Sequence, residues 1–177
     1  MKYCSNCGTL VRLGIPPDDN KERYICDACD TIHYQNPNII TGCLPRWENK
    51  ILMCRRSIVP RMGYWTTPAG FMENGESVEE GALRETMEEA NAEVEIVRLF
   101  SVSSIPHINQ VYMIYLANLK NLNFFPGPES AEVQLCSEEE IDWDNIAFSA
   151  IDYALRNFFK YPDDNQIHCN SISSKRR

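Results

Sequence analysis

Glu85, Glu88 and Glu89 close a stretch, GFMENGESVEEGALRETMEEA over residues 70–90, that holds seven glutamates. At i, i+3 and i+4 on a helix, those three carboxylates stand on adjacent turns of one face. Like charges so placed cost a few tenths of a kcal/mol per pair, mirroring the roughly 0.2–0.5 kcal/mol gained by opposite charges. A divalent cation reverses the penalty, and clustered hard oxygens select magnesium or manganese over zinc or copper. Arg84 can reach Glu80 or Glu88 along the helix, or Glu76 just before it, and so pin the carboxylates in place. Taken alone, such a helix also reads as an ordinary solvated acidic face.

The helix that carries these groups has local start and stop signals. Ser77 followed three residues later by Glu80 is a capping box. Val78, Ala82, Leu83, Met87 and Ala90 fall on one stripe, predicting the buried face. Asn91 stands where the helix should end and tolerates the left-handed conformation usually given to glycine.

A second constellation lies at the N-terminus. CSNC (Cys4, Cys7) and CDAC (Cys26, Cys29) are separated by 18 residues, and Gly8 permits the turn after the first pair. Four thiolates at this spacing suit one tetrahedral zinc with no position left for water, hence a structural ion. Too short for a core of its own, the segment would draw its folding free energy from the metal. His33 is expected to pack or hydrogen-bond rather than ligate. Cys43 and Cys54, in apolar strand-like surroundings, read as small core residues.

Around these sites the chain is mostly strand. NIITGCLPRW and KILMCRRS read as a hairpin turning at Glu48 and Asn49, VEIVRLFSVSS and QVYMIYLANL as two further strands, and Val133 to Leu135 as a short one. IVPRMGYWTTPAG and FFPGPESAE read as loops. SAIDYALRNFFKY sets Ile151, Leu155, Phe158 and Phe159 at helical spacing, with Pro162 as its stop. The expectation is an α/β sandwich behind a zinc ribbon: ribbon over residues 1–36, main domain over 37–162, and a partly disordered tail over 163–177 ending in Lys175, Arg176 and Arg177.

With 177 residues, 44% hydrophobic, the chain can close one ordinary core and leave a small module over. It holds no run of about 20 apolar residues and no signal peptide, so a cytoplasmic protein without membrane contact is expected. Seventeen basic against 25 acidic side chains, net charge -8, argue against a general nucleic-acid surface. The eight cysteines are expected to be reduced or metal-bound.

The order Gly70, Glu76, Arg84, Glu85, Thr86, Met87, Glu88, Glu89 resembles the Nudix box, here residues 70–92, and the preceding TTPAG is similar to the loop that leads into it. Asn91 replaces the glycine expected near its end, a departure at a cap and not at a ligand. The resemblance covers roughly residues 37–160. It implies the Nudix α/β/α sandwich with a mixed sheet, and hydrolysis of a nucleoside diphosphate linked to another moiety with Mg²⁺ or Mn²⁺ as cofactor. A preceding zinc ribbon is similar to two branches, the NADH pyrophosphatases and the plant plastid type acting on FAD or ADP-ribose. SVSSIPHINQVYMIY lacks the Ser-Gln-Pro-Trp-Pro-Phe-Pro-type stretch of the first, which favours the second.

Carried over by position, the resemblance makes Glu85 and Glu89 the principal metal ligands. Glu88 and the carbonyl of Ala69 complete the shell, and Glu76 and Arg84 are the orienting pair. A base or further ligand is expected from Glu132 or Glu129, Glu132 being preferred at its loop-to-strand junction, with Glu89 or Glu85 able to serve instead. Arg55 and Arg56 are candidates for phosphate contact, and Tyr64, Trp65 and Phe71 for stacking on a planar ring. The partner is a small nucleotide, and a homodimer is the assembly the reading admits. The alternatives are a hydrolase that sanitises nucleoside triphosphates and a non-catalytic nucleotide-sensing or nucleic-acid-binding module.

Overall fold

A computed structural model describes residues 1–161 and 164–173. The stop assigned to Pro162 and the terminal Lys175, Arg176 and Arg177 lie outside the described residues. The chain divides into two compact units, Met1–Asn36 and Pro37–Arg177.

The first unit is a three-stranded antiparallel sheet, β1 (Arg12–Gly14), β2 (Arg23–Ile25) and β3 (Ile32–His33), in that order. Its buried apolar residues are Cys4, Ile25 and Cys26. So small a core cannot hold a fold by burial alone, and the cysteine pairs must supply the rest. Each pair sits in a tight turn: Cys4 N–H donates to Thr9 O at 2.8 Å, Gly8 N–H to Cys4 O at 2.9 Å, and Cys26 N–H to Thr31 O at 3.0 Å.

The second unit is built on an eight-stranded mixed sheet. Its strands are β4 (Asn38–Trp47), β5 (Lys50–Arg56), β6 (Trp65–Thr66), β7 (Ala69–Phe71), β8 (Val94–Ile105), β9 (Gln110–Leu119), β10 (Ser130–Cys136) and β11 (His168–Ser171). The main path runs β10-β5-β4-β9-β8-β11, with β6 on β5 and β7 on β4. β4 pairs with β9 in parallel, as does β11 with β8, and the other ladders are antiparallel. Period-two alternation splits the core in two. Leu44, Ile51, Met53, Ile114 and Leu116 join Ile151, Leu155 and Phe158 of α2 (Ser149–Lys160). Cys43, Leu52, Cys54, Tyr115 and Ala117 join Ala82 and Ala90 of α1 (Val78–Ala90). The two helices therefore cover opposite faces of the central strands, the α/β/α sandwich expected.

Two expectations are corrected in part. Of the stripe Val78, Ala82, Leu83, Met87, Ala90, Ala82 and Ala90 are buried and Val78 packs beside them, but the buried face lies further round α1. Leu83 and Met87 are exposed, and the helix buries Gly81, Ala82, Glu85, Thr86, Glu89 and Ala90. Small residues let the helix lie close on β4, where Thr41 Oγ1 donates to Val78 O at 2.8 Å, and the rotation that achieves this turns two glutamates inward. The loop expected over IVPRMGYWTTPAG contains β6 and β7. Within the segment expected as a partly disordered tail, β11 is paired to β8 from His168↔Ser101 to Ser171↔Ser104.

Candidate active site

α1 begins and ends as its sequence directs. Ser77 and Glu80 form the reciprocal capping box, and Asn91 closes the helix in the left-handed region at φ 48° with its N–H on Met87 O. Between these caps, Arg84 fixes the acidic groups. Its guanidinium donates to both oxygens of Glu76 at 2.8 and 3.0 Å, to Glu85 at 2.7 Å, to Glu88 at 3.2 Å and to Phe71 O at 3.1 Å. Glu76 is held at a pKa of about 2 by Arg84 and by the N–H of Glu73. It orients the arginine and is not free to collect a proton near neutrality.

Glu85 and Glu89 differ in kind from Glu76. They are 9% and 5% exposed, and burial raises the pKa of both, that of Glu89 to about 8 with Glu85 adding repulsion. Glu89 accepts one hydrogen bond, from Ala69 N–H at 3.3 Å. Ala69 thus engages the site through its N–H. Gly70 leaves room for the Glu85 carboxylate, which a Cβ there would meet at 2.4 Å and displace. A buried, mutually repelling carboxylate pair is unfavourable unless a cation compensates it. Glu85, Glu88 and Glu89 together could offer hard oxygens to a divalent cation.

These groups line one wall of a cavity of about 1400 Å³. Glu129 reaches the same cavity and acts on both Glu85 and Glu89. Glu132, the preferred candidate from the sequence, does not line it: paired across the sheet with Arg55, it faces that guanidinium at 3.6 Å. A register shift between Ser130 and Glu132 separates the two glutamates. The loop bearing Glu129 is tied on both sides. Phe125 N–H donates to Ala90 O and Gly127 N–H to Glu89 O, while Ser57 N–H donates to Glu129 O at 2.9 Å.

The structure separates the remaining candidates. Arg56 lines the cavity, whereas Arg55 is turned to Glu132 and to Gly63 O. Phe71 lies on the rim, but Tyr64 and Trp65 do not line the cavity; Trp65 packs against the core and its carbonyl accepts from Ala147 N–H. The aromatic wall instead comes from Tyr112, Trp143 and Phe148. Sequence reasoning missed these because they reach one place from a strand, a 3₁₀ turn and a helix N-cap, with no spacing in common.

In the first unit, the four sulfurs of Cys4, Cys7, Cys26 and Cys29 lie within 4.8 Å of one another. Cys4–Cys29 and Cys7–Cys26 are 3.7 and 3.4 Å apart, close to the roughly 3.8 Å edge of a tetrahedron of thiolates about 2.3 Å from zinc. None of the eight cysteines is in a disulfide. His33 Nε2 lies 3.3 Å from Cys4 Sγ, beside the cluster and not in it. Among the described residues no comparable set of carboxylates is gathered so tightly, and Arg84 stands between Glu85 and Glu88.

Comparison with known proteins agrees with this geometry. Residues 37–158 match the family described as NUDIX domain, and residues 2–35 the zinc-ribbon family described as Nudix N-terminal. The chain is 33% identical over 122 residues to the NAD-capped RNA hydrolase NudC of Vibrio atlanticus, covering 67% of this chain and 42% of that protein. It is 32% identical over 152 residues to Nudix hydrolase 19, chloroplastic, of Arabidopsis thaliana, covering 79% and 33%. The chain thus spans less than half the length of these relatives. A crystal structure of a NUDIX hydrolase from Nitrosomonas europaea superposes with a TM-score of 0.94 at 53% identity, covering 98% of this chain and 100% of that one.

Proposed function

The chain belongs to the Nudix family, and on that premise we propose that its second unit hydrolyses the diphosphate bond of a nucleoside diphosphate linked to another group. FAD, ADP-ribose and NADH-like molecules are the substrate class. The observation that carries the reading is the pair Glu85 and Glu89, buried on the cavity wall with too few partners for two negative charges. Mg²⁺ or Mn²⁺ held there by Glu85, Glu88 and Glu89 would neutralise diphosphate oxygens and acidify a water.

The chain's own residues set the geometry. Arg84 holds Glu85 and Glu88 in fixed directions and is itself held by Glu76. Glu129 is the further ligand or base, in place of Glu132: it reaches the cavity and its backbone is anchored. Glu89 or Glu85, held beside a metal-bound water, could serve as the proton acceptor instead.

The ribbon unit is proposed to hold structural Zn²⁺. In this unit Arg12 and Arg23 are paired with Asp27 and Asp19 at 2.9 Å each. Eight cysteines with no disulfide between them fit a reducing, cytoplasmic setting, and no helix among the described residues is long and apolar enough to cross a membrane.

The test is a panel of FAD, ADP-ribose, NADH, CoA, an NAD-capped RNA and nucleoside triphosphates, each with Mg²⁺ or Mn²⁺, the products identified by mass. Two mononucleotide-sized products from a diphosphate-linked substrate are expected. Pyrophosphate release from triphosphates alone would replace this reading with the sanitising one.

A further inference from the structure

The four sulfurs of the ribbon are not equivalent. Cys4 and Cys26 are 3% and 0% exposed, Cys29 is half-buried, and Cys7 is exposed. The polar cover is unequal as well. Cys4 Sγ accepts from Asn6 N–H at 3.4 Å and has His33 Nε2 at 3.3 Å. Cys29 Sγ is flanked by the Asn6 side-chain amide at 3.6 Å and the Thr31 hydroxyl at 3.1 Å. Cys7 stands at the surface beside the Thr9 hydroxyl at 3.5 Å, and the buried Cys26 Sγ lies 3.4 Å from its own sulfur.

Thiolate character and access decide which sulfur an electrophile reaches, and a second sulfur within reach decides whether the product resolves to a disulfide. Coordinated to a metal, all four are thiolates, so access makes the choice and singles out Cys7. Cys26 is the sulfur placed to resolve it. Elsewhere in the chain Cys43, Cys54 and Cys136 are 0%, 1% and 2% exposed, which keeps the second unit's core thiols out of an oxidant's reach.

We propose that the ribbon is a peroxide-sensitive switch in which Cys7 is the sulfur attacked and Cys26 the one that resolves it. The inference rests on the structural-zinc reading above and goes beyond it. Cys7 Sγ takes a hydroxyl oxygen from hydrogen peroxide as the O–O bond breaks, giving a sulfenic acid and hydroxide. Cys26 Sγ then attacks the Cys7 sulfur, forming the S–S bond and expelling a second hydroxide. Two thiolates and one peroxide thus become one disulfide and two hydroxides, the sulfurs giving up two electrons. With two of its four donors gone the ion is released, and the first unit, whose buried apolar residues are Cys4, Ile25 and Cys26, unfolds with it. A thiol reductant and zinc restore it.

The experiment uses the full zinc-loaded chain and needs no turnover. Hydrogen peroxide is added while a chromogenic chelator reports free zinc, and the cysteines are then mapped by alkylation and peptide mass spectrometry. Zinc should appear in step with a Cys7–Cys26 disulfide, with Cys4 and Cys29 emerging as free thiols, and dithiothreitol with added zinc should reverse both changes. Before oxidation, a trace of iodoacetamide should modify Cys7 at least about 10-fold faster than Cys4, Cys26 or Cys29. Fluorescence of Trp47, Trp65 and Trp143, all in the second unit, should stay unchanged throughout. A disulfide joining Cys4 to Cys29, one involving the exposed Cys169, or alkylation spread evenly over the four would overturn the proposal. A chain that takes up no zinc rejects the structural-ion reading and the switch with it, whereas one that holds its zinc through oxidation rejects the switch alone.

Discussion

Glu89→Gln should stabilise the second unit in the absence of divalent ions while abolishing turnover. Burial and the neighbouring Glu85 lift the Glu89 carboxyl from an ordinary value of 4.5 to about 8. An acid whose pKa is raised on folding contributes stability that is fully present below its unfolded value. That stability is lost as pH climbs through the folded value, here between about 4.5 and 8. At about 1.4 kcal/mol per tenfold change in proton affinity, the loss approaches ~5 kcal/mol as a ceiling, and half of that is ample to measure. The glutamine has nearly the shape of a protonated glutamate and carries no charge to desolvate. Urea denaturation followed by Trp47, Trp65 and Trp143, all in the second unit, should give equal stabilities for both proteins at pH 5. By pH 8 the wild type should have fallen below the variant by about 2–4 kcal/mol. Saturating Mg²⁺ should restore the wild type and leave the variant unmoved. Identical pH profiles for the two proteins would refute the claim that Glu89 is a strained, uncompensated charge.

Glu129→Gln should lower kcat by about 100-fold or more, as loss of a base or ligand does, while Glu132→Gln should change it less than about twofold, as expected of an exposed ion pair; steady-state kinetics on whichever substrate the panel selects decides between them. Gly127→Ala would place a Cβ 1.7 Å from Glu88 O, so it should cost about 1–3 kcal/mol of stability and reduce kcat together with Glu129→Gln, measured by denaturation and turnover in parallel. Cys26→Ser, or zinc removal by a thiophilic chelator, should abolish amide-exchange protection across residues 1–36 while the tryptophan-monitored transition of the second unit is retained.

What the sequence disclosed was whatever short-range spacing determines. The Ser77–Glu80 box and the Asn91 cap are settled by residues within one turn, and the four-cysteine cluster by turns whose ligands nearly dictate their own geometry. Where a long-range choice was involved, local pattern misled. Leu83 and Met87 are the more hydrophobic side chains of α1, yet small Ala82 and Ala90 win the sheet because close approach to β4 requires them. Glu129 and Glu132 are equally acidic and three apart; a register shift in β10 and a cross-strand arginine, invisible without the partner strand, send one to the cavity and the other to solvent. The sequence HCNS of β11 carries no apolar–polar alternation although its burial alternates, so this edge strand is defined by the backbone it pairs with.

Termination of α1 and assembly of the acidic wall are one structural event. A helix leaves its last carbonyls without intrahelical partners. Here those of Glu89 and Ala90 accept from Gly127 and Phe125 at 2.9 and 3.0 Å, and the Asn91 side chain donates back to Phe125 O at 3.1 Å. The segment that satisfies the helix end is the one that delivers Glu129, and Ser57 anchors its far side through Pro128 O and Glu129 O. The cap thereby fixes a third carboxylate against Glu85 and Glu89 despite their repulsion, with backbone hydrogen bonds bearing the strain. Asparagine in the left-handed cap position is consistent with this: unlike glycine, it brings a side-chain donor that holds the loop.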